Sequence, residues 1–321
     1  MNADDWIDTL CTPTGDTRVP DPKPRSETET ATALDLFAIP AVDRAPLLAT
    51  LPDPGRTPRL WEALVHCHRT LFTAEGPPRA DQWPHAPGAL GEAGRYFYTH
   101  LYLLALPHAL ALRRDRGIPD GVTRATLADL GAKLAGYRLA HGTGGFDRQI
   151  WLSRHLRGTL NRLGRLQFEH RTYDSASWGA RAAPADGPGE GEPVLDVHIP
   201  GDGPLTPAAC DASFKEARSF AARHYPEHTV TFATCHSWLL DHTLADHLDP
   251  DANILAFQRR FTSHGDRPPC DTEVLEFVFH TPPGTTDTTE LPRRNTLQRA
   301  LLDHLDHGGH WRTARGWLRL P

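Results

Sequence analysis

The feature that most constrains this 321-residue chain is a change of hydrophobic period near Gly164. Before it, apolar residues recur every three to four positions, the spacing of a helix with one buried face. Leu60, Leu64, Cys67 and Leu71 share such a face within Pro58–Ala74, and Phe97, Leu101, Leu104 and Leu112 share another within Gly91–Arg114. Pro107 is expected to kink that second helix, and Gly117-Ile118-Pro119 ends it. Thr123–Leu139 and Ile150–Leu163 read as further helices, separated by the loop His141-Gly142-Thr143-Gly144-Gly145. No segment before Gly164 reads as a strand.

Beyond Gly164 the period falls to two. Leu166–Tyr173 alternates as a strand. Val194–Ile199 sets Leu195, Val197 and Ile199 on one face, with Asp196 and His198 on the other. Ala180–Glu192, between them, is a Gly/Pro/Ala loop. Thr206-Pro207 is a helix start, with Thr as N-cap and Pro at the first helical position. That helix runs to about Tyr225 with Phe214, Ala217, Phe220 and Ala221 inward. Thr229–Leu239 reads as a strand, Thr243–Leu248 and Asn253–Thr262 as short helices, Val274–His280 as a strand, Thr296–His307 as a helix and Trp311–Leu318 as a last strand. The sum is an α+β chain: a flexible segment over 1–30, an all-helical domain over 31–163, and a mixed α/β sheet domain over 164–321.

Composition removes several classes of function. Net charge is −6, and like charges never run in long blocks. That argues against a nucleic-acid binder held by phosphate contacts and against a polybasic membrane anchor. Lys23, Lys133 and Lys215 are the only lysines among 34 basic residues, so arginine is the default surface cation of what reads as a high-GC genome. Cys11, Cys67, Cys210, Cys235 and Cys270 are scattered, odd in number and never in a C-x-x-C pair, against a disulfide framework or structural zinc. The most apolar stretch, Tyr102–Leu112, is too short to span a bilayer. The first residues lack the basic and apolar regions of a signal peptide, so the expected location is the cytoplasm.

Three places carry candidate chemistry. The first is the strand–loop–helix over 194–225. Pro200, Gly201, Gly203, Leu205 and Thr206 could cradle a phosphate at the helix start, although Asp202 puts a negative charge there. An ordinary strand-to-helix turn has the same spacing. The second is Cys235-His236-Ser237-Trp238-Leu239-Leu240-Asp241. His236 could act as a general base, but strand alternation sends Cys235 to the other face, so the two are not a nucleophile–base pair. The third is His198 with Asp196 two residues before it, a carboxylate placed to orient an imidazole. Glu169, on the strand over 166–173, is a further candidate base. His66 and His68 are two apart on a helix and diverge, while His304, His307 and His310 surround a helix end; neither set reads as a metal site.

Leu163-Gly164-Arg165-Leu166-Gln167-Phe168-Glu169, Val197-His198-Ile199-Pro200 followed by Gly203-Pro204-Leu205, the Cys235–Asp241 run, and Asn253-Ile254 with Phe257-Gln258 together resemble one family. It is that of bacterial proteins joining a helical N-acyltransferase N-terminal domain to a GNAT-like C-terminal domain. The helical half is similar mainly in layout, at Gly117-Ile118-Pro119 and around Trp151. The resemblance implies no tightly bound cofactor. It implies acyl-CoA or another phosphopantetheine thioester as co-substrate, from coenzyme A or an acyl carrier protein, with the pyrophosphate of coenzyme A at the 194–225 loop. It also implies acyl transfer to an amine or hydroxyl of a small-molecule acceptor. The loop departs from the usual GNAT pattern, which places a basic residue before the glycines. A catalytically inactive GNAT-like binding module, and a hydrolase using Cys235, stand as alternatives.

Overall fold

The structure, a computed structural model, describes residues 1–12, 19–73 and 76–321. The chain divides into two compact units, Met1–Leu160 and Asn161–Pro321.

The first unit is built from α1 (Ala3–Leu10), α2 (Glu27–Leu36), α3 (Ala41–Ala49), α4 (Pro58–Leu71), α5 (Gly91–Asp115), α6 (Asp120–Leu127), α7 (Asp129–His141) and α8 (Gln149–Leu156). Its core surrounds α5, where every residue from Tyr96 to Leu106 is buried. Buried on all sides, α5 continues as helix through Pro107. The N-terminal segment expected to be flexible contributes to this core. Trp6 of α1 is fully buried, meets Phe97 edge-on at 4.8 Å, and donates Nε1–H to the Pro84 carbonyl at 2.9 Å. Ser26 and Glu29 form a reciprocal capping box that starts α2. Residues 13–18 of the same segment, and Ala74 at the expected end of α4, lie outside the described residues.

Two expected helices are revised. Thr123–Leu139 is two helices that meet at Ala128. In α7, Gly131 donates its N–H to the Phe37 carbonyl at 3.0 Å, and a Cβ there would lie 2.0 Å from the Ala38 carbonyl oxygen. Only glycine permits that approach. Ile150–Leu163 is also interrupted: α8 stops at Leu156, Gly158 takes a left-handed φ of 74°, and β1 (Leu160–Leu163) follows. A glycine just past a helix end ends it in this way.

The second unit is a six-stranded sheet in the order β1-β2-β3-β4-β6-β5, with β2 (Leu166–Thr172), β3 (Pro193–His198), β4 (Phe232–Ser237), β5 (Thr262–Ser263) and β6 (Ala314–Arg319). β2 runs antiparallel to β3, and β6 antiparallel to both β4 and β5. The central pair, β3 and β4, is parallel and is joined through α9 (Pro207–His224). The Thr206 hydroxyl accepts from the Ala209 N–H, so the cap read from the sequence forms. Phe168 of β2 meets Phe214 of α9 at 5.7 Å, which puts α9 on the sheet face that also carries Leu195 and Val197. α10 (Asn253–Gln258), α11 (Asp271–Phe279) and α12 (Thr296–Asp306) complete the unit.

Of Val274–His280, expected as a strand, Val274–Phe279 lies in α11 and His280 follows it as the left-handed cap. Val274 and Leu275 are adjacent and both buried, whereas Phe277 is 57% exposed, a pattern that strand alternation does not give. Asp271 and Glu273 occupy the first turn, where acidic groups meet the positive end of the helix dipole. Among the described residues, no helix is long and apolar enough to cross a membrane.

Candidate active site

The parallel pair places the site. β3 and β4 are in register from Val194↔Phe232 to Val197↔Cys235, and there the pairing stops. The next residues along each strand are His198 and His236. Both stand at the carboxyl end of the pair, the edge from which the loop to α9 departs. In open α/β sheets this is the end where ligands bind, because the backbone there is not filled by a neighbouring strand.

One row of side chains crosses the sheet at this end. Glu169 pairs with Asp196, Asp196 with Thr234, and Thr234 with Trp317, so all four project from the same face, away from α9. His198 and His236, each two residues further on, share that face. His198 Nε2 lies 3.1 Å from Glu169 Oε2 and 3.8 Å from Asp196 Oδ2. Asp196 Oδ1 accepts the Thr234 hydroxyl at 2.9 Å. Two carboxylates facing Nε2 favour a proton on that nitrogen. Glu169 is buried, while His198 keeps 19% of its side chain exposed, so the imidazole is reached from outside and its partner is not. The three groups offer ligand atoms within 4.8 Å of one another, a separation that would also admit a cation.

His236 sits apart from this cluster, exposed at the strand end opposite Arg315. Partial burial, and next the Arg315 guanidinium, hold its pKa below the usual histidine value. Cys235 lies on the α9 face and is fully buried; burial, with Asp196 adding to it, pushes its thiol well above the ordinary range. Such a thiol supplies no thiolate, and Cys235 does not join the other candidates.

The loop after β3 differs from its sequence reading. Pro200 and Leu205 are buried and pin its two ends; Thr206 spends its hydroxyl on the helix cap; Gly201 and Gly203 are exposed between them. A Cβ on Gly201 would meet nothing within 4 Å, so the backbone there is open to approach. Asp202 is paired. Arg162 reaches it at 2.6 and 3.1 Å, and Arg165 at 3.7 Å. Arg165 also donates to the Gly203 and Pro204 carbonyls at 2.6 and 3.0 Å. Basic groups thus flank the glycines from β1 and the turn after it. Sequence reasoning missed this role, although Arg165 stood within the Leu163–Glu169 motif.

Along the same face, beyond Thr234, Trp317 borders a groove of about 640 Å³ lined by Gly179–Asp186 and Thr262–Gly265. Tyr173, Trp178, Val194 and Phe232 form the apolar floor beside it. The histidine clusters do not converge. His68 is buried, His304 packs on Trp311 at 4.4 Å, His307 turns to the Asp303 carbonyl at 2.6 Å, and His310 to Asp271 at 2.7 Å.

Two family models cover the chain: an N-acyltransferase N-terminal domain over residues 28–158 and a GNAT-like C-terminal domain over residues 160–318. No curated protein matches the sequence. Solved structures do. The chain is 36% identical to an acyltransferase in complex with decanoyl-CoA and teicoplanin, with a TM-score of 0.82 over 98% of this chain and 93% of that one. It is 35% identical to an acyltransferase mutant in complex with octanoyl-CoA, with a TM-score of 0.83 over the same shares. It is 33% identical to an acyltransferase in complex with decanoyl-CoA, with a TM-score of 0.85 over the whole of both chains. The chain belongs to the family of acyltransferases that join an N-acyltransferase N-terminal domain to a GNAT-like C-terminal domain.

Proposed function

We propose that this acyltransferase moves a medium-chain acyl group from coenzyme A to an amine of a glycopeptide-like small molecule, with His198 as the base. The observation that carries the reading is the imidazole of His198, backed by Glu169 and Asp196, at the open carboxyl end of the parallel pair and beside the loop that leads to α9. The donor class follows the decanoyl-CoA and octanoyl-CoA held by the relatives, the acceptor class follows teicoplanin, and the amine follows the N-acyltransferase character of the first domain. An acyl carrier protein is the competing donor. Coenzyme A thioesters are made in the cytoplasm, where the enzyme would work.

The amine nitrogen attacks the thioester carbonyl and a C–N bond forms. Its proton passes to the imidazole of His198, and Glu169 and Asp196 neutralise the charge the ring acquires. Backbone N–H groups where β3 and β4 part would hold the oxyanion. The C–S bond then breaks, and the coenzyme A thiolate leaves with the proton that His198 returns. Gly201, Gly203 and the start of α9 would receive the donor's pyrophosphate, with Arg162 and Arg165 at its side.

The test is mass spectrometry of the enzyme incubated with teicoplanin-type acceptors and acyl-CoA of increasing chain length, repeated with acyl carrier protein thioesters. The expected product is the acceptor plus one acyl group from coenzyme A. His198→Ala should fold and lose at least about a hundredfold in turnover. Full activity in His198→Ala would end the assignment of the base. Transfer from carrier protein alone would replace the donor.

A further inference from the structure

The first unit holds a cluster that acyl transfer does not use. Cys11 ends α1, and Glu62 and His66 lie four residues apart on α4, one turn along the same face. The cysteine sulfur, a Glu62 carboxylate oxygen and a His66 ring nitrogen all lie within 4.8 Å of one another. The two helices are fixed independently of any ion. Arg59, a turn earlier on α4, pairs with Asp8 of α1 at 2.6 Å and Asp4 at 3.6 Å, while Trp6 anchors α1 in the core. The sequence suggests that His66 and His68 would diverge, and they do. His68 and Cys67 turn inward and are buried, and that rotation brings His66 round to Glu62 and Cys11.

We propose that Cys11, Glu62 and His66 form a zinc-binding site that ties α1 to α4. A thiolate, an imidazole and a carboxylate are the donor set that zinc takes in preference to magnesium or calcium. Zinc–ligand bonds of about 2.0–2.3 Å put tetrahedral ligand atoms about 3.3–3.5 Å apart. The side chains already lie within 4.8 Å, so they would have to close by little more than about 1 Å, a movement on the scale of side-chain torsions. The ion displaces the proton of the Cys11 thiol, and water completes the tetrahedron. With three protein ligands on a partly exposed surface the ion is exchangeable, and its effect is to hold the first helix in place. Glu62 is exposed, while Cys11 and His66 are half-buried, so the site is open to solvent.

The full-length protein, stripped with a chelator, is titrated with Co²⁺, whose bond to a thiolate gives a charge-transfer band that histidine and carboxylate ligands alone do not. The other four cysteines are buried, so the band reports on Cys11. The expected result is one Co²⁺ per chain with the band present, displaced by Zn²⁺, absent in Cys11→Ser, and needing at least about tenfold more metal in His66→Ala and Glu62→Gln. Zinc should raise the melting temperature of the wild type and leave that of Cys11→Ser unchanged. No band in the wild type, a band that survives in Cys11→Ser, or equal zinc stabilisation of both proteins would overturn the proposal. His66→Ala binding as tightly as wild type would do so as well.

Discussion

Replacing Glu169 by Gln keeps the shape of the side chain and removes its charge. At 3.1 Å from Nε2 of His198, that charge attracts an imidazolium by about 5 kcal/mol at an effective dielectric of about 20, and by about 1.3 kcal/mol in bulk water. At about 1.4 kcal/mol per tenfold, the bracket runs from about tenfold to about ten-thousandfold in the proton-transfer step. Asp196 remains at 3.8 Å and takes over part of the work, so the expected loss is about a hundredfold in kcat. In the proposed mechanism Glu169 would act through His198 without touching the donor, so KM for acyl-CoA should stay within about twofold. The assay is the steady-state release of the coenzyme A thiol at saturating acceptor, with thermal melting to show that the variant folds. The double variant Glu169→Gln/Asp196→Asn should lose more than the product of the single losses, because each carboxylate backs up the other. Turnover within about threefold of wild type in the folded double variant would refute the reading of His198 as a carboxylate-supported base.

Asp241→Ala should destabilise the second unit by about 3 kcal/mol in urea unfolding followed by tryptophan fluorescence. The fully buried carboxylate accepts from the Thr243 and Arg312 N–H groups at 3.1 and 2.8 Å and pairs with Arg267, whose partial exposure softens the loss. Burial holds the His100 ring down to about 3 and the His68 ring down to about 4, so both are neutral when folded and protonate first in the unfolded chain. Their contribution is complete above about pH 6.5 and shrinks as pH falls toward those values, by up to about 1.4 kcal/mol per pH unit for each ring. Melting temperatures between pH 7 and 4.5 should therefore fall less steeply for His100→Gln than for wild type, and equal slopes would count against it. Arg165→Ala should raise KM for acyl-CoA about tenfold with little change in kcat, since Arg165 holds the Gly203 and Pro204 carbonyls and one flank of the donor loop. An unchanged KM would separate the loop from donor binding.

Which parts of this site could be read from the sequence follows from how far apart the interacting residues stand in the chain. Asp196 and His198 are two apart on a strand, and period two alone puts them on one face. Thr206 and Pro207 announce a helix start through contacts that span three residues. Glu169 comes to His198 only through the register Glu169↔Asp196, set across the connection between β2 and β3, whose composition specifies no turn type. A slip of one residue would place His170 opposite Asp196 and turn Glu169 toward α9. Asp202 likewise looked hostile to an anion, because the groups that neutralise it, Arg162 and Arg165, belong to another strand and its turn. Val274–His280 failed for a different reason: a short apolar run fits a strand and a buried helix equally, and what decided it was burial of adjacent Val274 and Leu275 with acidic residues in the first turn. Cys235 shows the converse. Local alternation correctly separated it from His236, and only its packing beneath α9 removed the proton-loss that a nucleophile needs. A local pattern therefore supplied the imidazole of the site, while its charge partner and the neutralised Asp202 of the loop after β3 are properties of the folded sheet. For that reason Glu169→Gln and Arg165→Ala probe the sheet register as well as the chemistry. If both variants fold and neither shifts its kinetic constant, the function assigned to this end of the sheet is wrong.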